Sequence, residues 1–181
     1  GNTFCDKDDY DDAIAEFQEL YKTNPSWQGG HSCLAKAYMV KHQYQQAISE
    51  LHQAIRQNPT GAAEHRVLGQ ALLIVGQNEE AEKELRTAVA LNPDSDLAHH
   101  YLGTALFQLQ QFEAAEKEFR IAVQLKSTAD NHYSLAACLV SLNRYEDAVA
   151  ELEIASHLDP AETLYHARKD ELLKLMKSNP H

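Results

Sequence analysis

Apolar and small residues return along this chain at spacings of three and four, in blocks separated by short polar breaks. Residues three and four apart share one face of a helix, so each block predicts an amphipathic helix. The blocks themselves recur. Ala13, Ala47, Ala81, Ala115 and Ala148 follow one another at 34 residues, the last step at 33. Each of the last four carries the same companions: Leu51 and Ala54, Leu85 and Ala88, Phe119 and Ala122, Leu152 and Ala155. An earlier block in each unit holds Leu34-Ala35 with Tyr38, Leu68-Gly69 with Leu72, Leu102-Gly103 with Leu106, and Leu135-Ala136 with Leu139. Between the two blocks stand His42-Gln43, Gly76-Gln77-Asn78, Gln110-Gln111 and Asn143-Arg144. A break this short leaves two helices antiparallel and adjacent. A period of this size predicts stacked helix pairs rather than one globular core.

The alternation of small and large positions has a packing reason. Helix backbones approach closely only where no bulky side chain separates them, and the neighbouring Leu, Phe and Tyr residues fill the adjoining space. Asn-Pro at 24-25, 58-59, 92-93 and 179-180, with Asp159-Pro160, predicts helix ends, because proline disfavours helical geometry in the residue before it.

This order of small and large residues resembles the tetratricopeptide repeat family over nearly the entire chain. The resemblance implies an all-α, right-handed superhelical solenoid forming one domain: a partial repeat over 1–27, full repeats over 28–61, 62–95, 96–128 and 129–162, and a capping helix over 163–178. In place of the family's early Trp the chain has His31, His65, His99 and His132. The third unit ends Leu125-Lys126-Ser127-Thr128 without a proline, which predicts a tighter or slightly rotated junction. Gly1 falls at the eighth position of a unit and Phe4 at the eleventh, so a helix is expected to be under way there, with further repeats before it. Such a start would leave an apolar edge around Ile14, Phe17 and Leu20. In the last helix Lys169 and Asp170 replace the expected Leu and Gly, which marks it as a cap.

Charge narrows the partners. Sixteen Lys and Arg against 27 Asp and Glu give a net charge of −11, which argues against general nucleic-acid binding. No run approaches the roughly 20 apolar residues of a membrane span, and no signal-peptide pattern is present. The sequence indicates no compartment. Cys5, Cys33 and Cys138 are odd in number and far apart, so they form neither a disulfide framework nor a metal knuckle; Cys33 and Cys138 read as free thiols packed inside helices.

The search for chemistry finds no Gly-x-Ser-x-Gly elbow and no phosphate loop, so no enzyme and no cofactor are expected. His31, His65, His99, His132 and His166 recur in register, but equivalent positions lie on the order of 10 Å apart, too far to share a metal. They read as half-buried packing residues with one ring nitrogen hydrogen-bonded. Glu79, Glu80, Glu82 and Glu84, and Glu113, Glu116 and Glu118, read as solvated helix faces beside Lys83 and Lys117.

The family resemblance implies that first helices line a concave groove. Its residues would be Ser32, Lys36, Met39, Arg66, Gln70, Leu73, His100, Thr104, Phe107 and Tyr133. Lys36, Arg66 and His100 would make a cationic zone suited to a carboxylate, beside an apolar strip of Met39, Leu73, Ile74 and Phe107. Ser32 and Lys36 stand where the family's chaperone-binding branch has Lys and Asn, so that specialised activity is not expected. The leading reading is a protein-interaction scaffold binding a peptide segment or helix of a partner. The alternative is a structural spacer or a self-association segment using the N-terminal apolar edge.

Overall fold

The computed structural model describes residues 10–24 and 30–178, the side chain of Ala13 excepted. Expectations placed on Gly1, Phe4, Cys5, Pro25, Gln28 and Asn179-Pro180 lie outside the described residues. Ten α-helices are present, and no strand among the described residues. They divide into two compact units.

Unit 1, residues 1–93, contains α1 (Tyr10–Thr23), α2 (His31–Val40), α3 (Tyr44–Gln57), α4 (Ala62–Ile74) and α5 (Asn78–Leu91), each packed on the next. Unit 2, residues 94–181, contains α6 (Asp96–Gln108), α7 (Phe112–Leu125), α8 (Ala129–Ser141), α9 (Tyr145–Leu158) and α10 (Thr163–Ser178), packed in the same succession, with α6 also touching α8.

Within both units the repeated small and large positions are the buried ones. Leu34, Ala35, Tyr38, Ala47, Leu51 and Ala54 form the set in unit 1, followed there by Leu68, Leu72, Ala81, Leu85 and Ala88. Unit 2 repeats it with Leu102, Leu106, Ala115, Phe119 and Ala122, and again with Leu135, Ala136, Leu139, Ala148, Leu152 and Ala155. Gly69 shows why the small position matters. A Cβ there would stand 2.4 Å from Leu85 Cγ, so the two helices touch at van der Waals range only because that side chain is missing.

Each first helix ends in the same three-residue turn. The N–H of Gln43 donates to the Tyr38 carbonyl at 2.8 Å, and those of Gln77, Gln111 and Arg144 to Leu72, Leu106 and Leu139 at 2.9 Å. This is the Schellman closure, which needs a left-handed residue just before its donor. His42, Gly76, Gln110 and Asn143 take that place, with φ of 58°, 79°, 60° and 60°. Second helices stop where the prolines require: Asn58, Asn92 and Asp159 cap α3, α5 and α9.

The junction after α7 is shorter, as its missing proline and residue suggested. Residues 126–128 span it, against 58–61, 92–95 and 159–162 elsewhere. Thr128 Oγ1 accepts from the Asn131 N–H at 3.2 Å, capping α8, while buried Asn131 donates through Nδ2 to the carbonyls of Ala122 and Lys126 at the end of α7. In α10, Tyr165 and Leu172 are buried, whereas Lys169 lies 4.0 Å from Glu153 and Asp170 is exposed.

Two expectations are corrected. Phe17 is buried in a cluster with Leu34, Tyr38 and Ala47, with Ile14 packed against it, so only Leu20 of the supposed apolar edge is exposed. Gly30 makes room for this: its φ is 79°, and a Cβ there would lie 2.3 Å from the Phe17 ring. Cys33 is disulfide-bonded rather than a free thiol, whereas Cys138 is free and buried as expected.

Candidate functional site

The recurring histidines have a specific partner that the sequence reading missed. Nδ1 of His31, His65, His99 and His132 lies 2.6, 2.6, 2.7 and 2.6 Å from Oε2 of Glu50, Glu84, Glu118 and Glu151. Each pair ties a first helix to its second helix across nineteen residues. Glu84 and Glu118 are therefore not the solvated face expected of them: their side chains are only 15% and 19% exposed, because the buried imidazole draws them inward. The second ring nitrogen is also engaged where it is resolved. His65 Nε2 lies 3.0 Å from the Pro59 carbonyl, and His132 Nε2 lies 2.9 Å from Ser127 Oγ. His166 departs from the column; it is exposed, and no described helix follows α10 to offer it a carboxylate. Of the remaining acidic residues Glu79, Glu80 and Glu113 are exposed as read from sequence, whereas Glu82 and Glu116 make the expected four-residue ion pairs with Arg86 and Arg120 from half-buried positions.

A signal for these pairs was present: a glutamate follows each of the four histidines at a constant offset. Their burial assigns them to holding helix pairs together. Among the described residues, no group of three or more His, Cys, Asp or Glu side chains is placed to hold a metal ion. Among the described residues, no helix is long and apolar enough to cross a membrane.

Unit 1 has a cavity of about 550 Å³ between α2, α3 and α4. Ser32, Lys36, Met39, Arg66 and Gln70, five of the ten candidate residues, line it together, joined by Val40, Val67 and Ile74 on its apolar side. Leu73 does not; it is buried in the helix packing. Among the described residues, neither Lys36 nor Arg66 has an ion-pair partner. One carboxylate shares the cavity, that of Glu64, and it accepts a 2.9 Å hydrogen bond from Ser32 Oγ. Glu64 was not among the candidates, because a single Glu in a first turn reads as ordinary helix chemistry.

Unit 2 has a smaller cavity of about 350 Å³, lined by Tyr133, Ala137, Val140, Leu172 and Leu175, with Arg168 and Glu171 at its edge. Those two charges pair with each other at 2.9 Å. The Tyr133 ring packs at 5.3 Å on Tyr165, whose hydroxyl donates to Asp130. Burial, and then that hydrogen bond to Asp130, pushes the Tyr165 phenol up to about 12.

His100 is removed from the expected cationic zone. Its Nδ1 is 2.9 Å from Asn131 Oδ1, its ring meets Phe119 edge-on, and burial lowers its pKa, which favours the neutral ring. Thr104 bonds the His100 carbonyl and Phe107 packs on Phe112; neither lines the unit 2 cavity.

Repeated antiparallel helix pairs with one buried residue pattern define a helical-repeat protein. The tetratricopeptide repeat model matches residues 34–96, 66–130 and 102–163, and the chain belongs to the tetratricopeptide repeat family. No curated protein matches it significantly. Among solved structures it is similar to YrrB, described as a TPR protein with an unusual peptide-binding site, at 22% identity and a TM-score of 0.79, covering 93% of this chain and 88% of that one. It is also similar to MamA at 22% identity and a TM-score of 0.77, covering 85% and 91%. A thermophilic TPR protein of Thermus thermophilus aligns at 22% identity with a TM-score of 0.71, covering 91% and 90%.

Proposed function

We propose that the chain is a non-catalytic interaction scaffold that holds a peptide segment or helix of a partner protein, with the unit 1 cavity as its principal contact. The family's fold implies protein or peptide partners, and the cavity's lining suggests their chemistry. The carrying observation is that two cations without ion-pair partners stand beside apolar Met39, Val40 and Ile74 in one space of about 550 Å³. A carboxylate next to an aliphatic side chain satisfies both halves: charge-assisted hydrogen bonds for the cations and burial for the apolar wall. That a protein of the same fold is described as having a peptide-binding site agrees with this reading.

The test is the Lys36→Glu/Arg66→Glu double variant. Both residues lie outside the buried core, so its thermal unfolding is expected to match that of the parent chain. Its binding to acidic–aliphatic peptides, followed by fluorescence anisotropy, is expected to fall by at least about tenfold. Equal binding by the two proteins overturns the assignment.

A further inference from the structure

Resting on that reading of the unit 1 cavity, we infer that Glu64 acts as a charge filter, restricting the site to partner segments that present a single negative charge, the side chain of an internal Asp or Glu, and turning away doubly charged groups such as a phosphorylated serine.

The inference follows from which charges share the space and how they are held. Lys36 and Arg66 bring two positive charges to the cavity and Glu64 one negative charge. With histidine counted neutral, the lining carries a net charge of +1 within a molecule of net −11. A monoanion neutralises that lining. A phosphate monoester at neutral pH carries about −1.5 to −2, so it would leave excess negative charge beside the lining and face Glu64 at short range.

Glu64 is not free to cancel the cations itself. Ser32 Oγ donates to Glu64 Oε1 at 2.9 Å across from α2 to α4, and no ion pair joins Glu64 to Lys36 or Arg66. Its carboxylate also occupies space that Gly61 leaves open: Oε2 stands 2.4 Å from where a Cβ on Gly61 would be. The filter is thus a positioned negative charge, held off the cations by a serine and seated over a glycine. Selectivity of this kind comes from a repulsive element set against the wrong ligand, beside the attraction that serves the right one.

The experiment uses an array of short synthetic peptides combining aliphatic residues with one variable position, synthesised in matched series with glutamate, glutamine or phosphoserine there. The intact chain, Glu64→Gln and Lys36→Glu/Arg66→Glu are each measured for retention, and hits are confirmed in solution. For the intact chain, glutamate peptides are expected to bind at least about tenfold more tightly than their phosphoserine counterparts. Glu64→Gln raises the lining to +2 and is expected to erase or invert that ratio. Phosphoserine peptides binding the intact chain as tightly as glutamate peptides, or an unchanged ratio in Glu64→Gln, overturns the filter while leaving the peptide site standing. Glutamine peptides binding as well as glutamate peptides, or no peptide retained by any protein, overturns both.

Discussion

Unit 1 and unit 2 bury one scaffold and finish it differently, with unpaired cations in one cavity and a closed ion pair in the other. In each, a histidine at the start of a first helix reaches a glutamate on its second helix, small residues admit a facing Leu or Phe, and a left-handed residue closes the turn. The cavities then diverge. Lys36 and Arg66 in unit 1 have no ion-pair partner among the described residues, while in unit 2 Arg168 is taken by Glu171. Positions fixed by packing repeat because a misfit there costs stability in every copy. Positions on the cavity walls bear no such cost, and each unit has settled its own electrostatics. Repetition therefore builds the surface, and the departures from repetition give it chemistry.

The sharpest way to break the claim of a common scaffold is to remove the same carboxylate from each unit. Glu84→Ala leaves His65 Nδ1 without its partner where the side chain is 8% exposed, and Glu151→Ala does so to His132 at 6%. An unsatisfied buried polar group costs about 1–3 kcal/mol, and both variants are expected to lose stability in that range by urea denaturation. A loss in one unit with none in the other would show that the pairs are not equivalent.

A smaller effect tests how tightly the helices of each unit meet. Alanine for glycine inside a helix gains about 1 kcal/mol of propensity, while overpacking a filled core costs about 1–3 kcal/mol. At Gly69 the new Cβ meets the branch carbon of fully buried Leu85 at 2.4 Å; at Gly103 it meets the edge of the Phe119 ring at 2.8 Å, which a tilt of the ring relieves. Gly69→Ala is therefore expected to lose roughly 1 kcal/mol net, and Gly103→Ala to come out near neutral. The reverse order in urea midpoints would mean that unit 2 is the more tightly packed of the two.

How much of this could be read from the chain follows from the range of each interaction. The helices, their breaks and the small–large alternation were legible because all are local or periodic. The short junction after α7 was legible from its missing residue. The histidine–glutamate pairs were written at a constant offset, yet the reading assigned the histidines to packing and the glutamates to water, because each half taken alone has an ordinary explanation. The cavity was partly legible: the periodicity brought Ser32, Lys36, Arg66 and Gln70 to one side, but could not bury Leu73, neutralise His100 or single out Glu64, since those depend on neighbours distant in sequence. The Cys33 disulfide was invisible for the same reason.

The smallest predicted effect concerns the turns, where the repeat is conformationally uniform and chemically careless. His42 in unit 1, and Gln110 and Asn143 in unit 2, hold φ near +60°, a region that crowds Cβ against the backbone and is open to glycine without penalty. Gly76 is the one turn of the four that carries the residue suited to its geometry, and a Cβ there would find nothing within 4 Å. Packing thus plays no part at Gly76, and a change in stability there reports backbone conformation alone. Gln110→Gly is expected to gain up to about 1 kcal/mol, less what is given back to the greater freedom of the unfolded chain, and His42→Gly slightly less because its ring is lost from Tyr44, 2.7 Å away. Asn143→Gly gains least, since asparagine tolerates the left-handed region best among the three. Gly76→Ala is expected to lose about 1 kcal/mol despite the open space around it. Thermal midpoints ranked in that order would establish that the turn is set by the hydrogen-bond closure and merely tolerated by its side chain; a Gly76→Ala variant as stable as the parent would show that the left-handed geometry carries no cost here.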